Sequence, residues 1–577
     1  MLNMVRFLRP YRNQIYLIFA LVFGQSMADL FLPTLMAKIV DTGIVTGDTA
    51  YILRIGAFML LIAVGGMTCS IIASFYSSRV AVGFGRLIRT KLFAHVSQFS
   101  LHEFDKISTA SLITRTTNDT NQVQTVFIIM LRMMISAPLM LVGGIILATA
   151  QDASLSWVLV SVIPVLAIAI FLIMRQAIPL FQAVQLKLDK LNLILDEGLT
   201  GVRVVRAFDR TSYEQDRFAR ANGDLTATSI QVNRVVASLM PVMMFVLNMA
   251  TVAIIWFGGF RIDRGEMQIG SLIAFLQYAM QILFALIMLS MLFIMLPRAA
   301  ASASRINKVL EIEPEIVDPE TPKTANPAER GEVVFDHVTF RYPGAEEPAI
   351  ADISFRAKPG QITAIIGGTG AGKSTLVNLI PRFYDIESGS ITVDGVDVHD
   401  YAQEDLRSKI GFIPQRAVLF SGSIKDNILF GKEDATPIEV AHSAAVAQAS
   451  DFIGEMASGY DSRIEQGGQN VSGGQKQRLS IARALVRHPE IYVFDDSFSA
   501  LDFKTDSRLR AALKQETTDA TVFIVAQRVS TIMDADQIIV LENGAIAGIG
   551  THRELLETTP AYKEIVSSQL NAEEMAR

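Results

Sequence analysis

The sequence contains very little cysteine and comparatively little charge. Its one cysteine, Cys69, cannot form an intramolecular disulfide, which excludes a disulfide framework and a cysteine-based zinc site. Charged residues make up 19% of the chain, against about 25% in a typical soluble domain. The 51 basic and 57 acidic residues give a net charge of −6, which disfavours a nucleic-acid partner, because phosphate backbones are neutralised by Lys and Arg. The fold must therefore rest on packing alone.

Hydrophobic residues are abundant instead, and they are concentrated in the first half of the chain. They form 50% of the 577 residues, a length that suggests three to four units at about 150 residues each. The long apolar runs all precede about residue 300, and each is close to the 20 or so residues that cross a bilayer. Six membrane helices are predicted, near Ile15–Met36, Ile55–Phe75, Phe127–Ala148, Leu155–Met174, Val236–Phe257 and Ile269–Leu296.

Basic residues before the first span indicate its orientation. Arg6, Arg9 and Arg12 place the amino terminus in the cytoplasm by the positive-inside tendency. The first apolar run is too long for a cleaved signal peptide, so we expect it to stay in the membrane. Six spans return the chain to the cytoplasm, which predicts a multi-pass protein of the bacterial inner or plasma membrane with a cytoplasmic carboxyl half.

The two inner connections are long, at about 50 and about 60 residues, and they lack the composition of loops. Stretches such as Val80–Val96 and Gln182–Leu199 have helical spacing and few helix breakers. We therefore expect the membrane helices to continue well into the cytoplasm.

Two charged residues, Asp29 and Arg132, lie inside predicted spans, where charge is costly and often functional. Asp29 could instead bridge helices, and Arg132 could extend towards a span end. Met and Phe residues of the last two spans, such as Met243, Phe284 and Met288, could line an adaptable apolar pocket or simply pack the helices. The sequence leaves these alternatives open.

A proline-rich segment divides the chain. Residues 311–331 contain Pro314, Pro319, Pro322 and Pro327 and have the composition of a linker. The predicted organisation is a transmembrane domain at 1–310, this linker, and a nucleotide-binding domain at 332–577.

The second half contains a phosphate-binding loop. Gln361–Ile366 has the pattern of a buried strand, Thr375–Ile380 that of a helix, and the sequence between them fits G-x-x-x-x-G-K-S. Glycines let the backbone N–H groups surround phosphates, the lysine reaches the terminal phosphates, and the serine hydroxyl can ligate Mg²⁺. The predicted ATP-binding residues here are Gly367, Gly368, Thr369, Gly370, Ala371, Gly372, Lys373, Ser374 and Thr375.

Two further motifs complete the nucleotide chemistry. The apolar strand Ile491–Phe494 ends in Asp495, placed to hold Mg²⁺, and Asp496, placed to orient the attacking water. A second anion-binding helix start is predicted at Ser472, Gly473, Gly474 and Gln475.

With these motifs in this order, residues 330–570 resemble the ATPase domain of an ABC transporter, and residues 1–310 resemble the six-helix membrane domain of the fused, type IV exporters. The resemblance implies an α/β P-loop ATPase domain with a helical subdomain behind an all-α membrane domain. It also implies a dimer in which each ATP lies between the phosphate loop of one subunit and the Ser-Gly-Gly-Gln of the other.

The resemblance assigns roles to further residues. Tyr342 would stack on adenine, Gln415 would sense Mg²⁺ and the attacking water, and Ser499–Asp502 would form the loop that crosses to the partner. The tips of the inner hairpins, near Ala110–Arg115 and Phe208–Tyr213, would be the helices that couple the membrane domain to the ATPase domains.

Three positions depart from the family pattern. Asp496 stands where the family usually has Glu, which withdraws the carboxylate by about 1 to 1.5 Å, and misplacement of that order can cost about 100-fold in rate. Gln527 replaces the usual His and cannot carry its positive charge. Gln466 replaces an acid that commonly faces the coupling helices.

These departures predict a subunit of an ATP-driven exporter of amphiphilic, multidrug-like compounds whose own ATP site is slow. The expected partner is a different half-transporter with Glu and His in place, and a homodimer with slow hydrolysis is the alternative. A siderophore or lipid transporter on the same fold, or an ATP-gated channel or regulatory subunit, remain alternative functions.

Overall fold

The computed structural model describes residue 4, residues 6–325 and residues 330–569. The chain divides into two compact units. One contains Met1–Ser97 and Thr109–Ile312, and the other contains Gln98–Ser108 and Glu313–Arg577. The linker and domain limits drawn from the sequence remain predictions.

The first unit is entirely helical, and within the described residues it holds six helices long and apolar enough to cross a membrane. The predicted count of six is thereby confirmed. The long extensions are confirmed too, since helix α2 (Thr49–Val96) has 48 residues and helix α6 (Ser156–Thr200) has 45. At 1.5 Å per residue each spans roughly 70 Å, about twice the thickness of a bilayer. The helices are α1 (Arg12–Lys38), α2 (Thr49–Val96), α4 (Thr109–Thr114), α5 (Thr120–Gln151), α6 (Ser156–Thr200), α7 (Val202–Ala207), α8 (Thr211–Ala237), α9 (Leu239–Asp263) and α10 (Ile269–Leu310).

Apolar packing and a buried tyrosine hold this unit together. Ile18 and Val22 of α1 pack in one cluster with Leu131 of α5. Tyr278 of α10 is fully buried and donates a hydrogen bond of 3.0 Å to the carbonyl oxygen of Leu30. Because a buried tyrosine needs a partner for its hydroxyl, this contact fixes α10 against α1.

The inner hairpins turn at two short segments. The first turn includes α3 (Leu101–Ile107), which belongs to the second unit and lies before the predicted Ala110–Arg115. The turn therefore lies nearer the amino terminus than predicted. Glu103 of α3 holds it there by accepting hydrogen bonds from the backbone N–H of Ser100, at 2.5 Å, and of Glu315, at 3.0 Å. The second turn lies between α7 and α8, within the predicted Phe208–Tyr213, and Asp209 there adopts a φ of 51°.

The second unit is an α/β structure with a six-stranded and a four-stranded sheet. The larger sheet has the order β12-β11-β3-β10-β9-β6, and all its neighbours are parallel except β11 and β12. The smaller, antiparallel sheet has the order β2-β1-β4-β5. The strands are β1 (Val333–Phe340), β2 (Ile350–Ala357), β3 (Ile362–Gly367), β4 (Ser388–Val393), β5 (Val396–Asp397), β6 (Ile410–Ile413), β7 (Gly422–Ser423), β8 (Arg463–Ile464), β9 (Ile491–Asp495), β10 (Thr521–Val525), β11 (Gln537–Glu542) and β12 (Ala545–Gly550).

Helices cover the larger sheet and form a subdomain beside it. Strands β9 and β10 are buried along their whole length, which explains their continuous apolar sequences. The helices are α11 (Lys373–Leu379), α12 (Gln403–Ser408), α13 (Ile424–Leu429), α14 (Pro437–Val446), α15 (Ser450–Glu455), α16 (Gly473–Leu485), α17 (Phe503–Glu516), α18 (His552–Thr558) and α19 (Pro560–Gln569).

The described part of the predicted linker is held against this second unit. The backbone N–H of Gln403 donates to Asp318 at 3.0 Å, and that of Lys323 donates to the carbonyl oxygen of Asp400 at 2.8 Å. Pro327 lies outside the described residues.

Candidate functional site

The candidate nucleotide site lies where four parallel strands end. In the order β3-β10-β9-β6 the carboxyl ends of neighbouring strands meet at one edge of the sheet, with Val525 paired to Asp495 and Ile413 to Phe494. Ligands of open α/β sheets bind at this edge. The topology therefore brings together the phosphate loop, Gln527, Asp495 with Asp496, and Gln415.

The phosphate loop has the backbone that its glycines permit. Gly370 and Gly372 have φ values of +83° and +94°, a region that side chains disfavour. A Cβ on Gly372 would lie 2.7 Å from the carbonyl oxygen of Ala349, whereas Gly368 and Gly370 face open space. The loop is thus closely packed on one side and open on the side where phosphates would bind.

Lys373 begins α11 at the end of this loop. Its Nζ donates to the carbonyl oxygens of Gly367, at 2.9 Å, and Gly368, at 2.7 Å. Burial lowers the pKa of Lys373, and the carboxylates of Asp496 and Asp495 partly oppose that shift. The ammonium is therefore held over the loop by oxygen atoms.

Ser374 and Asp495 form the pair expected at a magnesium site. The hydroxyl of Ser374 donates to Oδ1 of Asp495 at 2.8 Å. Burial raises the pKa of Asp495, the negative charge of Asp496 adds to the rise, and the Ser374 hydroxyl opposes it. Since Mg²⁺ prefers hard oxygen ligands and a buried carboxylate gains from a nearby cation, these residues fit Mg²⁺-ATP.

Asp496 is the acceptor for two side-chain amides. Nε2 of Gln527 lies 2.8 Å from Oδ2 of Asp496, and Nε2 of Gln415 lies 3.1 Å from the same oxygen. Asp496 is buried and has a φ of 46°, held by a bond of 3.0 Å from its own N–H to the carbonyl oxygen of Val525. The structure thus brings together the three residues predicted to act in catalysis.

Tyr342 lies beside the phosphate-loop helix. Its hydroxyl is 3.0 Å from Oγ1 of Thr375, and its ring meets Phe340 and Tyr384 edge to face at 4.9 and 5.4 Å. Such contacts fix the orientation of a ring, and the stacking of Tyr342 on adenine stays a prediction.

The Ser472–Gln475 segment caps α16. The N–H of Ser472 donates to Oε1 of Gln475 at 2.8 Å, and the N–H of Gln475 donates back to Oγ of Ser472 at 3.3 Å. Ser472 and Gly473 are exposed. Gly474 lies close to Ala500, since a Cβ there would be 3.3 Å from the carbonyl oxygen of that residue. The cap is therefore hydrogen-bonded internally and partly exposed, and its role in a second subunit's ATP site stays a prediction.

Sequence reasoning missed Gln569. Its Oε1 accepts from the N–H of Val529 at 2.9 Å, and its Nε2 donates to the carbonyl oxygen of Gln527 at 2.8 Å. One side chain therefore clamps the backbone on both sides of Arg528. No sequence motif identifies this glutamine. Tyr562 and Val566 are spaced for one face of a helix, which predicts only that α19 packs against the rest of the unit.

The membrane unit contains a second candidate site. Asp29 and Arg132 both line a cavity of about 520 Å³ formed by α1, α5 and α10. Phe284 and Met288 are lining residues too, whereas Met243 is buried in a packing cluster.

Comparison with known proteins matches this architecture. Residues 15–287 match the model of the ABC transporter transmembrane region, and residues 350–499 match that of the ABC transporter ATPase domain. An uncharacterized ABC transporter ATP-binding protein of Mycobacterium tuberculosis is 45% identical over 97% of both chains. A Mycobacterium bovis protein named fatty acid ABC transporter ATP-binding/permease protein is 34% identical over 83% of this chain and 75% of its own.

A solved structure shares the whole fold. It is that of a bacterial Atm1-family ABC exporter with ATP bound, with a TM-score of 0.81 and 26% identity over 97% of this chain and 98% of the other. The similarity to the Mycobacterium tuberculosis protein and to this exporter thus extends along nearly the full length of the chain. This chain belongs to the ABC transporters, as a membrane-embedded half-transporter of the exporter fold with a cytoplasmic ATPase domain.

Proposed function

We propose that this chain is one subunit of a heterodimeric exporter of amphiphilic compounds. Its own phosphate loop binds Mg²⁺-ATP at a slowly hydrolysing site, and its Ser472–Gln475 segment completes the fast site of a different subunit. That partner carries Glu and His at the positions of Asp496 and Gln527.

The environment of Asp496 carries the proposal. Two amide donors, from Gln527 and Gln415, converge on one of its carboxylate oxygens. The shorter side chain is thereby held back among protein groups, while a water-orienting base needs a free oxygen near the terminal phosphate. Gln527 can donate a hydrogen bond but supplies no positive charge for the transition state.

The parts that bind nucleotide and serve the partner are intact by contrast. The position of Lys373 over the phosphate loop and the hydrogen bond between Ser374 and Asp495 support a site for Mg²⁺-ATP. The reciprocal hydrogen bonds of Ser472 and Gln475 keep their segment ordered. Bound Mg²⁺ would neutralise phosphate charge during hydrolysis. Damage limited to the hydrolytic residues of one site favours a heterodimer over a uniformly slow homodimer.

An amphiphilic substrate is supported by the membrane cavity, in which charged and apolar side chains occur together. The name of the relative described as a fatty acid transporter fits a lipid-like compound. Export is the direction expected from the exporter fold, and comparing ATP-driven uptake with efflux in inside-out vesicles tests it.

The heterodimer can be tested with two variants of this chain in complex with its partner. Ser472→Ala should lower the ATPase rate of the complex by about 10-fold or more, because it removes a hydroxyl that binds the terminal phosphate at the fast site. Asp496→Asn should change the rate by less than about 2-fold, because the slow site contributes little turnover. A rapid ATPase in this chain alone, abolished by Asp496→Asn, would overturn the proposal.

A further inference from the structure

The membrane cavity combines an acceptor-rich end, a donor-rich end and a flexible apolar wall. The helices that form it, α1, α5 and α10, all belong to the membrane unit. Its volume of about 520 Å³ lies in the range of small-molecule sites. The polar lining residues are Gln25, Asp29, Arg132, Ser136 and Gln281.

The acceptor-rich end has two side-chain acceptors, the carboxylate of Asp29 and Oε1 of Gln281. Gln25, one helical turn earlier, bonds to the Asp29 carboxylate, which retains further lone pairs. Gln281 uses its Nε2 to donate to the carbonyl oxygen of Asp29 at 3.0 Å, and this turns its Oε1 into a buried acceptor with no partner among the described residues. A carboxylate and an unpartnered amide oxygen together suit a primary ammonium, which has a positive charge and three N–H donors.

The donors are at Arg132. Its Nη2 donates to Oγ of Ser70 at 3.4 Å, a long hydrogen bond for a group with five N–H donors. A guanidinium with donors to spare binds carboxylate or phosphate oxygens well, commonly with two parallel bonds. This end of the cavity therefore suits an acidic group.

The two ends lie at different depths. Leu131 belongs to the cluster that contains Ile18 and Val22 of α1, so Arg132 lies near the depth of that part of α1. Asp29 follows Val22 by seven residues, which places its backbone about 10 Å further along the helix at 1.5 Å per residue. An interval of this length leaves room for a compact head group with both charges between the two residues.

The remaining wall is apolar and adaptable. Met133, Met140, Met280, Phe284 and Met288 line it. Methionine side chains adjust to irregular apolar ligands such as alkyl chains.

We propose that this cavity selects zwitterionic amphiphiles whose head group has a primary ammonium, bound by Asp29 and Gln281, and an acidic group, bound by Arg132. The inference rests on the proposed transport of amphiphiles and specifies their class. An aminophospholipid and an N-terminally free lipopeptide share this chemistry, and the choice of probes distinguishes them.

Binding to the purified full-length chain in dodecyl maltoside tests the head group by titration calorimetry. The probes are lysophosphatidylethanolamine, its N-acetyl derivative, a dodecyl ester of glycylaspartate, dodecylamine and dodecanoate. The zwitterionic lysolipid should bind about 10-fold more tightly than its N-acetyl derivative, since one charge-assisted hydrogen bond corresponds to that factor. Preference for the peptide ester over the lysolipid would identify the lipopeptide source.

Variants assign each end of the cavity. Asp29→Asn should bring the lysolipid and its N-acetyl derivative to about equal affinity, and Asp29→Glu should restore the preference, because only the carboxylate binds the ammonium strongly. Arg132→Gln should weaken the lysolipid and dodecanoate but leave dodecylamine unchanged. Asp263→Asn and Arg264→Gln, exposed and not among the cavity's lining residues, are matched controls that should change nothing. ATP-induced thermal stabilisation verifies that each variant is folded.

Equal binding of the lysolipid, its N-acetyl derivative and dodecanoate by the unaltered chain would overturn the zwitterion proposal. So would a preference that survives Asp29→Asn. Neither result affects the ATPase asymmetry between Ser472→Ala and Asp496→Asn. If Asp496→Asn lowered the ATPase rate as much as Ser472→Ala while the head-group selectivity persisted, only the heterodimer proposal would be contradicted.

Discussion

The side-chain amide of Gln527 donates a hydrogen bond of 2.8 Å to Oδ2 of Asp496, and this joins two of the positions predicted to depart from the ABC transporter pattern. Gln415 donates to the same oxygen at 3.1 Å. The two departures are therefore structurally coupled: a change of either residue alters the partner of the other. Their effects on hydrolysis should not be additive, as is usual for residues in direct contact.

This coupling predicts how activity can be restored. The double substitution Asp496→Glu with Gln527→His should raise the ATPase rate of the purified chain by about 10- to 100-fold, because it corrects a carboxylate misplaced by about 1 Å and supplies a residue that can be charged. Each single substitution should lower the activation free energy by less than half as much as the double substitution does. Phosphate release measures the rate.

The matched control is Asp496→Asn with Gln527→His, which lacks the carboxylate and should remain slow. A double Glu/His variant that binds ATP yet hydrolyses no faster than the unaltered chain would show that these two residues do not limit turnover.

Asp495 makes stability depend on pH in a defined direction. Burial raises its pKa above the ordinary 3.8, so the folded protein holds this proton more tightly than the unfolded chain does. The neutral carboxyl therefore stabilises the fold at low pH, and this contribution is lost as pH rises through the raised value. Asp495→Asn should raise the melting temperature of the nucleotide-free protein at pH 8 by about 2 to 4 °C, and by less at pH 5. Ser374 can still donate to the amide oxygen.

The same variant should lose most of the stabilisation that Mg²⁺-ATP confers, since an amide is a poorer magnesium ligand than a carboxylate. Asp502→Asn is the opposite case, because hydrogen bonds from Thr505 lower the pKa of Asp502. That substitution should leave the melting temperature unchanged or lower it at pH 8. If Asp502→Asn raised the melting temperature as much as Asp495→Asn does, burial of Asp495 could not be the cause of the increase.

The fold could be predicted from the sequence, and so could the grouping of residues at the candidate nucleotide site, for a physical reason. A phosphate loop needs glycine at positive φ, and a magnesium site needs a carboxylate at a strand end, so Gly372 and Asp495 are set by local chemistry. Gln569 could not be predicted, because its contacts with Gln527 and Val529 join segments about 40 residues apart. The position of the first inner turn could not be predicted either, because the contact of Glu103 with Glu315 is likewise non-local.

Lys409 stabilises the ATPase unit away from the nucleotide site. Its Nζ lies 2.7 Å from Oδ2 of Asp394, which is fully buried, and 3.0 Å from Oε2 of Glu490. Lys409→Met would leave a buried carboxylate without its cation, at a cost of about 3 to 5 kcal/mol. The thermal transition of the ATPase unit should fall by several degrees, while ATP affinity stays within about 2-fold. Lys323→Met removes an exposed pair with Asp400 that solvent screens, so it should leave the thermal transition nearly unchanged. Equal effects of the two substitutions would contradict the role of burial.

Gln569 should hold the segment from Gln527 to Val529 in place. Its two hydrogen bonds reach the backbone on either side of Arg528, and Tyr562 and Val566, both fully buried, anchor the helix from which it projects. Gln569→Ala should speed hydrogen exchange at the Val529 amide by about 10-fold, because that N–H loses its acceptor. Gln569→Glu keeps the acceptor for Val529 but loses the donor to Gln527, so exchange at Val529 should stay slow. Ser568→Ala, whose hydroxyl bonds to the carbonyl oxygen of Ile565 within its own helix, is the control. Loss of protection in the Glu variant as great as in the Ala variant would mean that α19 detaches as a whole, and Gln569 would then have no specific part in positioning Gln527 against Asp496.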